Sequence, residues 1–430
     1  MSELKPYSNY RDSGVAWLGK VPSHWSIEPI GKLFFERRDT VSDADYQPLS
    51  VTRNGVVPQL ENVAKTSDGE SRKLVKAGDF AINSRSDRKG SAGLVDRDGS
   101  VSVITTVITP RQMDPQFVHH LLRSVPFQEE YYRYGSGIVA DLWSTRWSAM
   151  KGIRTVVPES AEQRLIADFL DRETAEIDAF IADQEELIGL LAERRAATIS
   201  HAVTEGLDPT VRMKDSGIEW VDSIPAHWKS TRLKGLGTLR YGIGEPPNYV
   251  DEGVPLIRAT NVSEGRITPN RMAYVNPDDI PSGRIVWLQN GDIIVVRSGA
   301  LTGDSAIIPA EYVGAIAGFD MMFRTGSDAI AMFIQYALLA SYVKKAQLEV
   351  ASTRAAQPHL NAQELGETRI VLAPIDEQVL IVEWLNYETG ELDAAIEDAE
   401  EAIMLSRERR AALISAAVTG KIDVRERGVA

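Results

Sequence analysis

The sequence predicts an α+β fold: two α/β heads separated by two long antiparallel helices of coiled-coil character, related by an internal pseudo-two-fold repeat. Three observations predict it. The phrase "DSGVAWLGKVPSHW" (12–25) returns as "DSGIEWVDSIPAHW" (215–228), identical at seven of fourteen positions and offset by 203. The phrase "ERRAATISHAVTEGLD" (193–208) returns as "ERRAALISAAVTGKID" (408–423), identical at eleven of sixteen positions and offset by 215. The segment leading into each second phrase is acidic and carries an apolar stripe at coiled-coil spacing.

The elements follow in order. Residues 1–157 make the first head with its N-terminal phrase. Its short β-rich runs, "SVTRNGVV", "DFAINSRS" and "SVSVITTVI", alternate with turns and close on the helical "PQFVHHLLRSV". Residues 158–212 make the first long helix. It has no proline from Glu162 to Thr204, Ser160 and Gln163 fit a capping box, and Gly206 and Pro209 stop it. A 4-3 spacing picks out Ile177, Ile181, Gln184, Ile188, Leu191, Arg195, Thr198 and Ala202. Residues 213–372 make the second head, with "VPLIRATNV", "GRIVWL", "GDIIVVRSG" and the helical "AMFIQYALLASYV". Gly78-Asp79 and Gly291-Asp292 mark one equivalent turn. Residues 373–430 make the second long helix and tail, started by Pro374 and Asp376 and stopped by Gly420. Its stripe is Leu392, Ile396, Ala399, Ile403, Ser406, Arg410, Leu413 and Ala417. Each stripe is too narrow to stand alone, so the partner of each helix is the other copy. Forty-odd helical residues span about 65 Å, so the pair acts as a ruler between the heads.

Composition narrows the function. At 430 residues with no cysteine, the chain has no disulfide framework, thiolate metal site or thiol nucleophile. The start "MSELKPYSNY" has no apolar signal core, and the expected setting is cytoplasmic, with no membrane partner. Net charge is −14, but it is unevenly spread: −8 over 156–212 and −7 over 373–430, against +2 over 26–155 and 0 over 229–372. The heads are therefore open to a polyanion although the whole chain is acidic. No phosphate-binding glycine loop, zinc-protease helix, nucleophile elbow or amino-methyltransferase signature is present, and no cofactor is expected. "YGSG" (134–137) and "YGIG" (241–244) lack the strand-to-helix context of a cofactor loop.

The polar loops of the heads carry the candidate site. Arg, Asn, Ser and Thr near glycine turns are the side chains that reach base edges and phosphates. In the first head these are Arg53, Asn54, Arg85, Arg88, Lys89 and Arg146. In the second they are Arg258, Thr260, Asn261, Arg297, Ser298, Thr302, Arg354 and Gln357. Trp17, Trp25, Trp220 and Trp228 belong to the repeated frame and read as core anchors. His24 and His227, each before a Trp, read as a packed turn holding head to helix. Arg194-Arg195 and Arg409-Arg410 read either as intrahelical pairs with Glu193 and Glu408 or as a twice-used docking surface.

"VPSHW" and "IPAHW" open variable heads. "GDI" is followed by "RSG" in the second head, where the first departs with "GDFAINSRS"; a proline precedes "EQ" at each helix start, and "ERR…AVT" closes each helix. This combination, in both repeats, resembles the specificity subunit of type I restriction–modification systems. The resemblance implies two target-recognition domains, each reading one half of a bipartite double-stranded DNA site, with the helices setting the spacer. It implies a non-catalytic subunit that docks two modification subunits and, through them, restriction subunits. An enzyme with built-in recognition would need a metal cluster or methyltransferase loop. A protein-binding adaptor with two heads on a helical ruler is the other alternative.

Overall fold

The computed structural model describes residues 5–59, 71–85, 88–137, 143–245, 247–353 and 358–425. The chain forms two compact units, Met1–Gln184 with Glu401–Ala430 and Glu185–Glu400. Each unit holds one head and parts of both long helices, Ser160–Glu205 and Ile375–Val418.

In the first unit an antiparallel sheet runs Ala92–Leu94, Phe80–Asn83, Thr105–Pro110, Phe34–Glu36. In the second unit the sheet runs Ser305–Ile307, Ile293–Val295, Met321–Thr325, Gly237–Tyr241, also antiparallel. The heads match poorly in sequence yet keep one strand order. The expected common turn explains the register. Gly78 N and Gly291 N donate to Val95 O and Ile308 O, and each following aspartate accepts from a backbone N–H three residues back. Each aspartate is buried and carries an arginine, but from different places: Arg37 Nε, just after the strand Phe34–Glu36, reaches Asp79 and Arg324 Nε, within Met321–Thr325, reaches Asp292, both at 2.6 Å. A buried carboxylate has to be paired, and the requirement is met here from two places in the chain.

The repeated phrases bind each head to its helices. Trp25 and Trp228 are 1% exposed. His24 Nε2 lies 2.8 Å from Glu162 Oε2, and His227 Nε2 lies 2.6 Å from Glu377 Oε1. The packed-turn reading of both histidines holds. The buried amides of Gln163 and Gln378 then tie helix to head. Their oxygens accept from Asp114 N and Ile330 N, and their nitrogens donate to Pro158 O and Ala373 O, all at 2.8 Å. The expected capping box at Ser160 is therefore corrected: the Gln163 side chain serves the start of the helix Pro115–Arg123 instead. The helix stops are as expected, with Gly206 and Gly420 in the left-handed region at φ 80° and 71°.

The helices pair within each unit. Every apolar stripe position named above is buried or half-buried.

 Among them Ala399 is 3% exposed and Ala202 and Ala417 are fully buried. In the first unit Arg410 Nε lies 2.8 Å from Asp178 Oδ1, and in the second Arg195 Nε lies 2.8 Å from Asp393 Oδ1. The four residues are one pair seen twice, since Asp178 and Asp393, like Arg195 and Arg410, are related by the offset of 215. Each arginine bonds the other copy's aspartate, as an antiparallel pair with a pseudo-dyad requires. Of the two readings offered for these arginines, the intrahelical one is corrected at Arg195 and Arg410: a cation on the seam meets the facing helix.

Trp17 is half-buried against Phe127, with ring centroids 6.0 Å apart. Trp220 is not a core anchor. It is 47% exposed and lines an open groove with Val350 and Ala351. Where the first head has the helix Val125–Arg133 carrying Phe127, the second has a π-turn, Lys344–Glu349. No helix among the described residues is long and apolar enough to cross a membrane.

One pH response follows from the packing. Burial pushes the His119 imidazole down to about 3, helped by Arg123, His120 and Arg410 and opposed by Asp171. The unfolded chain takes up this proton near its ordinary value of 6.5, and the folded chain does not. The His119 contribution to stability is therefore present above that value and lost as pH falls toward 3. Unfolding midpoints measured across this range should fall for the natural chain and fall less for His119→Gln.

Candidate nucleic-acid interface

The four-stranded sheets place one locus at the same point of each head. Ser84 and Arg297 each stand five residues after the buried aspartate. Ser84 O accepts from Thr145 N at 2.9 Å, and Arg297 O accepts from Leu360 N at 2.8 Å. The next residues, Arg85 and Ser298, bridge to Ser144 and His359. A short helix follows in each case, Trp147–Met150 after Arg146 and Ala362–Glu367 after Asn361.

In the first head this locus is a cleft of about 400 Å³, lined by Lys73, Arg85, Arg146, Glu36 and Trp147 among others. Arg85 and Arg146 come from distant stretches of sequence and share this cleft. Lys73 joins them, its Nζ donating to Thr105 O at 2.6 Å, and burial pulls its pKa down. Sequence reasoning missed Lys73 because it sits in a strand, Arg72–Val75, rather than a polar loop.

In the second head the locus is Arg297. Its Cζ lies 3.8 Å from the Phe319 ring centroid and 4.9 Å from that of Tyr241. Tyr241 is held by its hydroxyl, which accepts from Ala362 N at 2.7 Å. Asp320 is 3% exposed and accepts from Arg297 N at 3.2 Å. Burial raises the Asp320 pKa, while hydrogen bonds from the backbone of Arg297 and Ala259 pull it back. Tyr241 opens the "YGIG" stretch, so that stretch supplies a ring rather than a cofactor loop. Gly242 packs there against backbone: a Cβ would fall far inside van der Waals contact with the Gly318 carbonyl oxygen. Gly242→Ala should destabilise the second unit by roughly 1–3 kcal/mol, read as a lowered denaturant midpoint.

The other expected residues separate by exposure. Arg53 and Asn54 are the exposed turn of the hairpin Leu49–Thr52/Gly55–Pro58. Arg53 Nε donates to Lys89 O at 3.2 Å, so the hairpin turn and the Arg88–Lys89 segment share one edge. Lys89 pairs there with Glu129, and Arg88 is exposed. Arg258 is braced by Tyr249, 5.2 Å from its ring, and Thr260 is exposed. Asn261 and Thr302 face inward. The Asn261 side chain is 0% exposed and bonds Arg258 N, Thr268 O and Asn270 O, and the Thr302 hydroxyl donates to Gly299 O at 2.7 Å. They shape the loops that carry Arg258 and Ser298 instead of offering groups to a ligand. Arg354 and Gln357 lie outside the described residues. No three His, Asp or Glu side chains among the described residues gather as a metal site.

Comparison with known proteins agrees with this geometry. Residues 225–399 match the family described as Type I restriction modification DNA specificity domain. The chain is 23% identical over 392 residues to the type I restriction enzyme EcoKI specificity subunit of Escherichia coli K12, covering 85% of this chain and 82% of that one. It is 27% identical over 236 residues to the EcoBI specificity subunit of Escherichia coli, covering 53% and 49%. Its fold is shared with a solved chain from work on complex assembly and conformational transition of the type I R-M system. That match has a TM-score of 0.64 at 16% identity, covering 93% of this chain and 98% of the other. The resemblance to type I specificity subunits, and the fold of two heads with a helix pair, are borne out.

Proposed function

We propose that this chain, a DNA sequence-specificity subunit of the type I restriction–modification kind, reads one half of a bipartite double-stranded DNA target with each head. The observation that carries this is one locus repeated on a duplicated frame with different side chains: Lys73, Arg85 and Arg146 in one head, and Arg297 with Tyr241 and Phe319 in the other. A shared frame with unlike readers suits two unlike half-sites. Arginine forks suit guanine edges and phosphates. Arg53, Asn54, Arg88, Lys89, Arg258, Thr260 and Ser298 extend these contacts on exposed loops, while Asn261 and Thr302 hold the loops in shape. Arg354 and Gln357 stay within the proposed set on sequence grounds.

The acidic helices are poor partners for phosphate. In this reading they set the spacer and dock two modification subunits, and through them the restriction subunits. The chain itself is non-catalytic, and the complex acts on DNA in the cytoplasm. The methyl donor and nucleotide belong to the partners.

Salt titration tests the reading. With the modification subunits assembled, log affinity for a cognate duplex should fall linearly with log salt, by about 0.9 per phosphate neutralised. Binding to a protein with no salt-dependent DNA binding would favour an adaptor.

A further inference from the structure

We propose that Arg297 reads a guanine in the half-site of the second head, with Phe319 and Tyr241 as the positioning residues that hold its fork. This rests on the DNA-reading function proposed above. The guanidinium is stacked and preorganised: Phe319 lies 3.8 Å from Cζ and Tyr241 lies 4.9 Å from it. Both rings are themselves open to solvent, at 43% and 45% exposure. Arg297 Nε is buried without a hydrogen-bond partner, and no hydrogen bond is made to either Nη among the described residues.

A structural arginine of this fold looks different. Arg324 and Arg37 are consumed by the buried aspartates of their turns. Asp320, the carboxylate beside Arg297, accepts from its backbone N–H and forms no ion pair with its side chain. Among the described residues the guanidinium is thus fixed by two rings while its terminal donors remain unspent. Two parallel donors on a rigid plane match the O6 and N7 acceptors on the major-groove edge of guanine. Stacking lowers the entropy lost when the fork docks. Lysine keeps the charge but cannot replace this geometry. The first head has Ser84 at the same position, so the device belongs to one half-site only.

The experiment uses the full chain assembled with its modification subunits and the duplex that the complex methylates. Each guanine of that duplex is replaced in turn by 7-deazaguanine, which removes the N7 acceptor. The natural chain should show one guanine, in the second head's half-site, whose replacement weakens binding roughly ten-fold or more. Arg297→Lys should bind the unmodified duplex more weakly and be indifferent to that replacement. Phe319→Leu should fall between the two, and sensitivity at guanines of the other half-site should not change. A half-site without a sensitive guanine, or the same sensitivity in Arg297→Lys, overturns the assignment and leaves the two-head reading intact. A uniform loss on every duplex also overturns it, because it marks a phosphate contact or a damaged head. No sequence-specific binding by the natural complex would instead defeat the functional reading itself.

Discussion

Trp228→Ala should lower the stability of the second unit by about 3–5 kcal/mol. The indole is 1% exposed and packs among Ile199, Ala202 and Val203 of the first long helix and Ile381 and Leu385 of the second. Its Nε1 donates to Glu377 Oε2 at 3.0 Å, the carboxylate that also holds His227. Truncation leaves a large cavity and removes a donor from that carboxylate. The equivalent Trp25→Ala should cost a similar amount in the first unit. The phenylalanine variants separate packing from hydrogen bonding. Trp25 Nε1 is buried without a partner, so Trp25→Phe removes no hydrogen bond, whereas Trp228→Phe removes one. Trp228→Phe should therefore cost about 1–2 kcal/mol more than Trp25→Phe. Chemical denaturation of the four variants checks this, and equal costs for the two phenylalanine variants would contradict it. Trp220→Ala, at an exposed groove, should stay within about 0.5 kcal/mol of the natural chain.

Exchanging residues 26–155 for the matching head of a different specificity subunit should replace one half of the DNA target completely and leave the other unchanged. The frame makes this possible. The head meets its helices through a repeated set, His24, Trp25, Glu162 and Gln163; within the exchanged segment Gln163 holds Asp114 N, and His120 Nε2 lies 2.6 Å from Asp171 Oδ1 of the long helix. The Asp114 contact is to backbone, so a foreign side chain there can preserve it, whereas the incoming head has to supply its own partner for Asp171. Cognate-site selection from a random duplex pool reads both halves at once. A change in both halves would contradict independent readers.

The frame was legible in the sequence because duplication exposes it. Glu162-Gln163 and Glu377-Gln378 stand out by repetition, and they prove to be the joints between helix and head, buried at Glu162, Gln163 and Gln378 and half-buried at Glu377. The stripe from Ile177 to Ala202 follows coiled-coil spacing because burial against a facing helix imposes it. The same stripe held Arg195 and Arg410. Sequence distance favoured Glu193 and Glu408 as partners, and only antiparallel packing brings Asp393 and Asp178 within reach.

The candidate site was legible by residue type but not by grouping. Arg85 and Arg146 were each visible as loop cations, yet their shared cleft depends on an isolated bridge between Arg85 and Ser144. Arg297 was visible in "RSG", while Tyr241 comes from the strand Gly237–Tyr241, two places away in the sheet, and Phe319 from the approach to Met321–Thr325 between them. Their pairing is set by strand register, in which Tyr241 stands opposite Met321. Asn261 looked like a base reader because its side chain could bridge adenine. Its amide is instead spent on three backbone groups of its own loop, a use that residue type alone does not distinguish.

The central claim is that two unlike heads on one duplicated frame read two halves of one target. The most direct measurement is to express the chain with its modification subunit and map methylated adenines in the host DNA. The account predicts one bipartite motif, with two defined halves separated by a fixed gap of unspecified bases. A single continuous motif, or no new methylation from a complex shown to assemble, would contradict it.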